Sequence, residues 1–220
     1  MMKSIVIVGT GDYAEMAYMY LKRDTDYKIV AFSVEKEFNT SDEFCGLPVV
    51  DFEDIAVDFP KNEYKLLIAI GPNKANTVRE RLYKEAKSMG YNFVTYISSK
   101  AYVWDSEAIG ENSFIFDGCV VEPHAKIGIN TVLWSGAVVA HHSVIGDHCF
   151  LAPSVAVSGK IVIKNNCFIG INATIRDHVT VAENCIIGCG AVIKKDTVKN
   201  GVYSAKGTEL LRSDSMNTRV

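Results

Sequence analysis

From Ile97 onward an aliphatic residue returns at every sixth position. Val103, Ile109, Ile115, Val121, Ile127, Leu133, Val139, Ile145, Leu151, Val157, Ile163, Ile169, Ile175, Val181, Ile187 and Ile193 fill sixteen consecutive steps without a miss. Val, Ile and Leu make up about a quarter of the chain, so chance would give such a run with odds on the order of one in a billion. One inward aliphatic side chain per hexapeptide means one short strand, then a corner, and three such strands close a triangular coil.

Two further columns fit that prism. Four residues after each aliphatic position the residue is usually small, as at Ser113, Cys119, Ala125, Thr131, Ala137, Ala173 and Ala191, because a narrow interior has little room there; Val155, Ile161 and Val179 are larger. Cys149, Cys167 and Cys185 fall in this column one coil of 18 residues apart, which points to packing and not to metal or redox work. No CxxC pair occurs among the six cysteines, and no disulfide framework is expected. Asn112, Asn130, His148, Asn166 and Asn184 form a corner column, and Gly118, Gly136, Ser154, Asn172 and Gly190 another. Both are dominated by residues that tolerate a left-handed backbone, so His148 reads as structural.

Residues 1–96 follow a different pattern. Ser4–Val8 is an apolar run, Gly9-Thr10-Gly11-Asp12-Tyr13-Ala14 a glycine turn, and Met16–Lys22 a helical segment. Further strands are expected at Lys28–Val34 and Leu66–Gly71, separated by a polar connection, and a helix at Asn73–Met89 ending on Gly90. The order is that of a small Rossmann-like parallel sheet.

Twenty-three Lys and Arg against twenty-six Asp and Glu give a net charge of -3, with no basic cluster, so neither nucleic acid nor an anionic membrane is an expected partner. No apolar run approaches the roughly 20 residues of a bilayer span, and the start does not read as a signal peptide; a cytoplasmic protein is expected.

The stretches Ala140–Asp147, Val157-Ser158-Gly159 and Cys167–Asn172, behind an N-domain carrying Ala69-Ile70-Gly71, resemble the sialic acid O-acetyltransferase type of sugar acyltransferase, which includes bacterial N-acetyltransferases of UDP- or dTDP-linked 4-amino sugars. The resemblance implies an α/β Rossmann-like N-terminal domain that holds the nucleotide sugar (1–96), followed by a left-handed parallel β-helix with a C-terminal tail (97–220). It also implies a homotrimer with active sites between subunits, acetyl-CoA lying between neighbouring prisms, and no metal. His141 matches the family's catalytic base, and Gly159 the residue whose backbone amide polarises the thioester. Gly170 and Ile171 fall in a matching stretch and are expected at the coenzyme. Imidazole titrates near neutrality, and such a base contributes roughly 10²–10⁴-fold. A glycine also lets substrate approach its N–H closely.

Where many relatives carry an acidic residue after the base, this chain has His142, which shares a corner column with His124, Lys160 and His178; a direct catalytic role and a surface ladder both remain open. That column also raises a zinc site of the γ-carbonic anhydrase kind, a reading its spacings do not favour. The segment Gly9, Thr10, Gly11, Asp12 and Tyr13, with Gly71, is expected to meet the acceptor, although Tyr13 replaces a histidine common in relatives. Glu35, past the second strand, is placed to bond a base or ribose, against the alternative of a solvated carboxylate. Lys206 either meets a coenzyme phosphate or is a tail residue without a partner.

These readings converge on N-acetylation of a nucleotide-linked 4-amino-4,6-dideoxy sugar for a surface glycan, by direct transfer. O-acetylation of a sugar precursor, or a non-catalytic trimeric scaffold that binds sugar nucleotides, are the alternatives.

Overall fold

The computed structural model describes residues 4–209. Its N-terminal half is a five-stranded sheet with helices on both faces. In chain order the elements are β1 (Ser4–Val8), α1 (Asp12–Asp24), β2 (Lys28–Val34), β3 (Glu43–Phe44), β4 (Leu47–Asp51), α2 (Ile55–Asp58), β5 (Tyr64–Ile68) and α3 (Thr77–Ser88). The strands lie in the order β3-β4-β2-β1-β5, and every pairing is parallel except the β3–β4 hairpin. The apolar runs of β1 and β5 are buried on both faces, as a covered parallel sheet requires.

The structure differs from the sequence expectation in three places. The polar connection between β2 and β5 contains the β3–β4 hairpin and the short α2. The hairpin turns on Cys45 and Gly46, both at positive φ (51° and 75°), the geometry of a two-residue mirror-image turn in which cysteine is an unusual occupant. Helix α1 is longer than Met16–Lys22, starting at Asp12 directly after the glycine turn. Helix α3 begins at Thr77, not Asn73, because Lys74, Ala75 and Asn76 are three successive left-handed residues (φ 48°, 49° and 63°). Its end is as expected: Gly90 has φ 91°, and its N–H and that of Tyr91 close onto Lys87 and Ala86.

From Tyr96 the chain winds into a prism of two-residue strands that pair in parallel with the strand 18 residues away, except Val202–Tyr203, which pairs with Ile186–Ile187 at 16 residues. The first face runs from Tyr96–Ile97 through Phe114–Ile115, Val132–Leu133, Phe150–Leu151, Phe168–Ile169 and Ile186–Ile187 to Val202–Tyr203. The second runs from Tyr102–Val103 to Val192–Ile193, and the third from Lys126–Ile127 to Thr180–Val181. The inward aliphatic column is buried from Ile109 to Ile193, and so is the second inward column from Ser113 to Ala191, including Val155, Ile161 and Val179. Cys119, Cys149, Cys167 and Cys185 are free and buried, and burial pushes the Cys119 thiol up to about 11, so they serve as packing. At fourteen successive corners, from Asn112 to Gly190, φ is positive, which bears out the two sequence columns and the third, of His124, His142, Lys160 and His178. This is the left-handed parallel β-helix of hexapeptide repeats.

Helix α1 is clamped between the sheet and the first face, so one core runs through both halves. Tyr13 meets Phe114, Trp134 and Phe150 at 5.9, 5.8 and 6.3 Å between ring centroids. The corner between the third and first faces grips α3. Asn112 accepts from Ile68 N–H (2.8 Å) and donates to Asn130 (2.7 Å), and Asn130 donates to His148 Nδ1 (2.9 Å). Arg79, fully buried, donates to the carbonyls of His148 and Cys149. At the end of α1, Arg23 bonds Asp117 while Tyr96 donates to Asp24 (2.5 Å). Polar rungs thus fix how the two halves meet.

Candidate active site

His141 stands at the corner between the second and third faces, in the coil that also contains Trp134. Its backbone N–H donates to Glu122 Oε2 (2.8 Å), which pins the corner from one coil below. One coil above lies Gly159, and the imidazole rests over it: a Cβ there would lie 2.6 Å from Cε1 and 2.8 Å from Nε2. Lys160 N–H donates to the His141 carbonyl, whereas Gly159 N–H has no acceptor among the described residues. A ring nitrogen and a free backbone donor therefore share one exposed corner. A carbonyl placed there would meet both a proton acceptor and an N–H, and a side chain at 159 would close the space.

The other ring nitrogen, Nδ1, faces Nδ1 of His142 at 3.1 Å. Only one of the two can carry the proton. If His141 donates it, Nε2 above Gly159 keeps its lone pair. His142 can accept because lost hydration, then the charges of His124, His141 and Lys160, hold its pKa below the usual imidazole range. His142 also packs against His124, with centroids 4.6 Å apart. Among the described residues of one chain no group of three or more His, Cys, Asp or Glu is placed to hold a metal ion.

The acceptor segment lies elsewhere. Thr10, Gly11, Asp12, Tyr13, Glu35 and Gly71 line one cavity of about 820 Å³ between the β-strand ends and the first face. Gly9 shapes the turn beneath it: at φ 128° a Cβ would meet the Ala69 carbonyl oxygen at 2.6 Å. Glu35 borders the cavity and is held by Arg81 through both oxygens (2.8 and 2.9 Å). Tyr13 is buried with its hydroxyl unpartnered among the described residues, and burial pushes its pKa well above the ordinary phenol value. Sequence reasoning missed Lys74, Trp134 and Phe150, which also line the cavity. The two aromatics occupy prism positions that the hexapeptide period marks only as outward-facing.

The remaining expected residues are spread out. Gly170 and Ile171 lie at the corner between the first and second faces, across the second face from Gly159. Gly170 has no room for a side chain, since a Cβ would meet Cys189 N at 2.7 Å; Ile171 is exposed. Lys206 is exposed, with no ion pair among the described residues. Within one chain, then, the cavity lies over the first face while His141 occupies the opposite corner of the prism. Both sit at the same height, because Trp134, His141 and Phe150 fall within one coil.

Comparison with known proteins agrees with this architecture. Residues 4–86 match the family model described as the PglD N-terminal domain. Residues 124–159 and 160–195 each match the bacterial transferase hexapeptide model of six repeats. PerB from Caulobacter crescentus, solved with CoA and GDP-perosamine, is 25% identical with a TM-score of 0.82, over 93% of this chain and 95% of its own. The acetyltransferase domain of PglB from Neisseria gonorrhoeae, solved with acetyl coenzyme A, is 20% identical (TM-score 0.79; 93% and 97% covered). WeeI from Acinetobacter baumannii is 23% identical (TM-score 0.78; 92% and 96% covered). No curated protein sequence matches the chain.

Proposed function

We propose that the chain, which matches the PglD N-terminal domain over residues 4–86 and the bacterial transferase hexapeptide model over 124–159 and 160–195, is a sugar acyltransferase that moves the acetyl group of acetyl-CoA to the 4-amino group of a nucleotide-linked 4-amino-4,6-dideoxy sugar. The observation that carries this reading is the His141 imidazole lying over Gly159, with Nε2 at the glycine and Nδ1 turned to His142. Acetyl-CoA supplies an activated thioester, so no acyl-enzyme is needed. Nε2 of His141 takes the proton from the attacking amine as the C–N bond forms, Gly159 N–H meets the negative charge that develops on the thioester oxygen, and collapse of that intermediate breaks the C–S bond, so that CoA leaves as the thiol with the proton returned from Nε2. His142 orients the base by accepting its Nδ1 proton.

The separation of cavity and base within one chain supports a trimer, in which the cavity of one subunit faces the His141 corner of the next at equal height. Thr10, Gly11, Asp12, Tyr13 and Gly71 then hold the nucleotide sugar above Trp134 and Phe150. Glu35, braced by Arg81, borders the nucleotide end. The second face, from Ile171 to Gly159, carries the coenzyme, with Gly170 keeping the corner flat and Lys206 meeting a coenzyme phosphate. Among the described residues no helix is long and apolar enough to cross a membrane; the reading places the reaction in the cytoplasm, on a surface-glycan precursor.

The test incubates wild-type and His141→Ala protein with acetyl-CoA and UDP-, dTDP- and GDP-linked 4-amino sugars, GDP-perosamine included, and reads acetylated product by mass spectrometry. Product from one amino sugar, reduced roughly 10²–10⁴-fold in His141→Ala while the trimer persists, is the expected result. Absence of product from every amino sugar, with product from a hydroxyl acceptor, would turn the assignment to O-acetylation.

A further inference from the structure

Resting on the reading of His141 as the base, we infer that His124 is a positioning residue that acts through His142, and that the site places a pair of imidazoles in tilted contact behind its base where a carboxylate would otherwise stand. The geometry is specific. His124 and His142 are 18 residues apart in one corner column, and the spacing of parallel strands, about 4.8 Å, brings their rings to 4.6 Å with a tilt of 40°. Both backbones are left-handed, at φ 65° and 60°, so the two side chains leave the prism in the same direction. Above His142 the column continues with Lys160, so within the column His142 meets a ring only at His124, while the His141 ring stands edge-on beside it at 5.3 Å between centroids.

His142 is exposed, and an exposed imidazole samples several rotamers unless something holds it. Only one presentation places Nδ1 at 3.1 Å from Nδ1 of His141. The His124 ring removes the alternatives. The same contact matters for charge: His124, His141 and Lys160 are cationic or cation-capable groups around His142, while Glu122, the nearby carboxylate, is engaged by the His141 N–H. A neutral His142 is therefore the acceptor for the Nδ1 proton of His141, which leaves Nε2 unprotonated over Gly159. A carboxylate in place of His142 would also accept that proton, but it would pull a full positive charge onto the base.

The experiment compares wild type with His124→Asn and His124→Phe in the acetyl-transfer assay. Asparagine suits the left-handed corner, as Asn112, Asn130 and Asn166 show in this chain, and removes only the ring. Phenylalanine restores a ring that cannot ionise. We expect His124→Asn to lower kcat about tenfold, with both KM values within about twofold, as loss of orientation does, and His124→Phe to recover most of it. ¹⁵N spectra of the histidine rings should show His141 protonated on Nδ1 in wild type and His124→Phe, and a tautomer mixture in His124→Asn. Wild-type kcat in His124→Asn, or equal loss in both variants, would overturn the inference. Retained turnover in His141→Ala would instead remove the base reading beneath it.

Discussion

The side chain that residue 159 lacks is the space that His141 uses: a Cβ on Gly159 would lie 2.6 Å from Cε1 of the imidazole. The φ of Gly159 is not in the left-handed region, so Gly159→Ala leaves the backbone unstrained and only pushes the ring aside. Displacement of a base by about 1 Å costs on the order of 10² in rate. We expect kcat to fall by about that factor with the melting temperature unchanged, as steady-state kinetics and a thermal scan will show.

Replacing the acceptor behind the base should move its pH profile. In His142→Asp a carboxylate faces the protonated imidazole and stabilises it, so the base is freed only at higher pH. The acid limb of kcat/KM should therefore shift upward in pH, while the fold is retained because aspartate tolerates the left-handed corner. A limb that stays in place would show that His142 does not contact the base during turnover.

His148 tests the same chemistry at a structural corner. Burial holds its pKa below the usual imidazole range, opposed by Glu80 and Asp147. A base with a depressed folded pKa is protonated first in the unfolded chain, so stability is full above about pH 6.5 and falls as pH drops from there through the folded value. His148→Asn puts at this rung the residue that occupies Asn112, Asn130, Asn166 and Asn184. Denaturant unfolding between neutral and mildly acidic pH should show a shallower loss in the variant than in wild type.

Asn130 joins three partners across the boundary between the halves: it accepts from Asn112, donates to His148 Nδ1, and reaches the Arg79 carbonyl at 3.3 Å. Asn130→Ala loses these bonds, each worth about 0.5–1.5 kcal/mol, and strains a left-handed residue by roughly 1–2 kcal/mol. A destabilisation of about 2.5–6.5 kcal/mol is expected, with Asn130→Gly recovering the backbone part. Equal loss in both variants would assign the whole effect to the hydrogen bonds.

Most of the prism could be read in the sequence because its rule is local. A corner needs a residue that accepts positive φ, an interior column needs an aliphatic or a small side chain, and both recur without reference to the rest of the molecule. Asn112, Cys167 and Ile169 each declare their place. The N-terminal half depends more on contacts between distant segments. The Cys45-Gly46 turn is an atypical hairpin signal, and Lys74-Ala75-Asn76 carries no mark of three left-handed residues; Asn76 is held there by its bond to the Cys167 carbonyl, 91 residues on. At the site, His141 and Gly159 were legible through the resemblance and one coil of spacing. Trp134 and Phe150 were not, because an outward position on a face says nothing about which neighbour will cover it.

The requirement for positive φ at every corner has an evolutionary side. A position that must turn left-handed accepts few residues, and asparagine, glycine and histidine are prominent among them. Neutral drift along such a column therefore samples imidazoles far more often than drift on an ordinary surface, and does so at the fixed height of one coil. A backbone rule with no bearing on chemistry thus keeps supplying proton-handling groups in register with one another, and a lineage that lost its acidic partner beside the base would find a replacement already within reach.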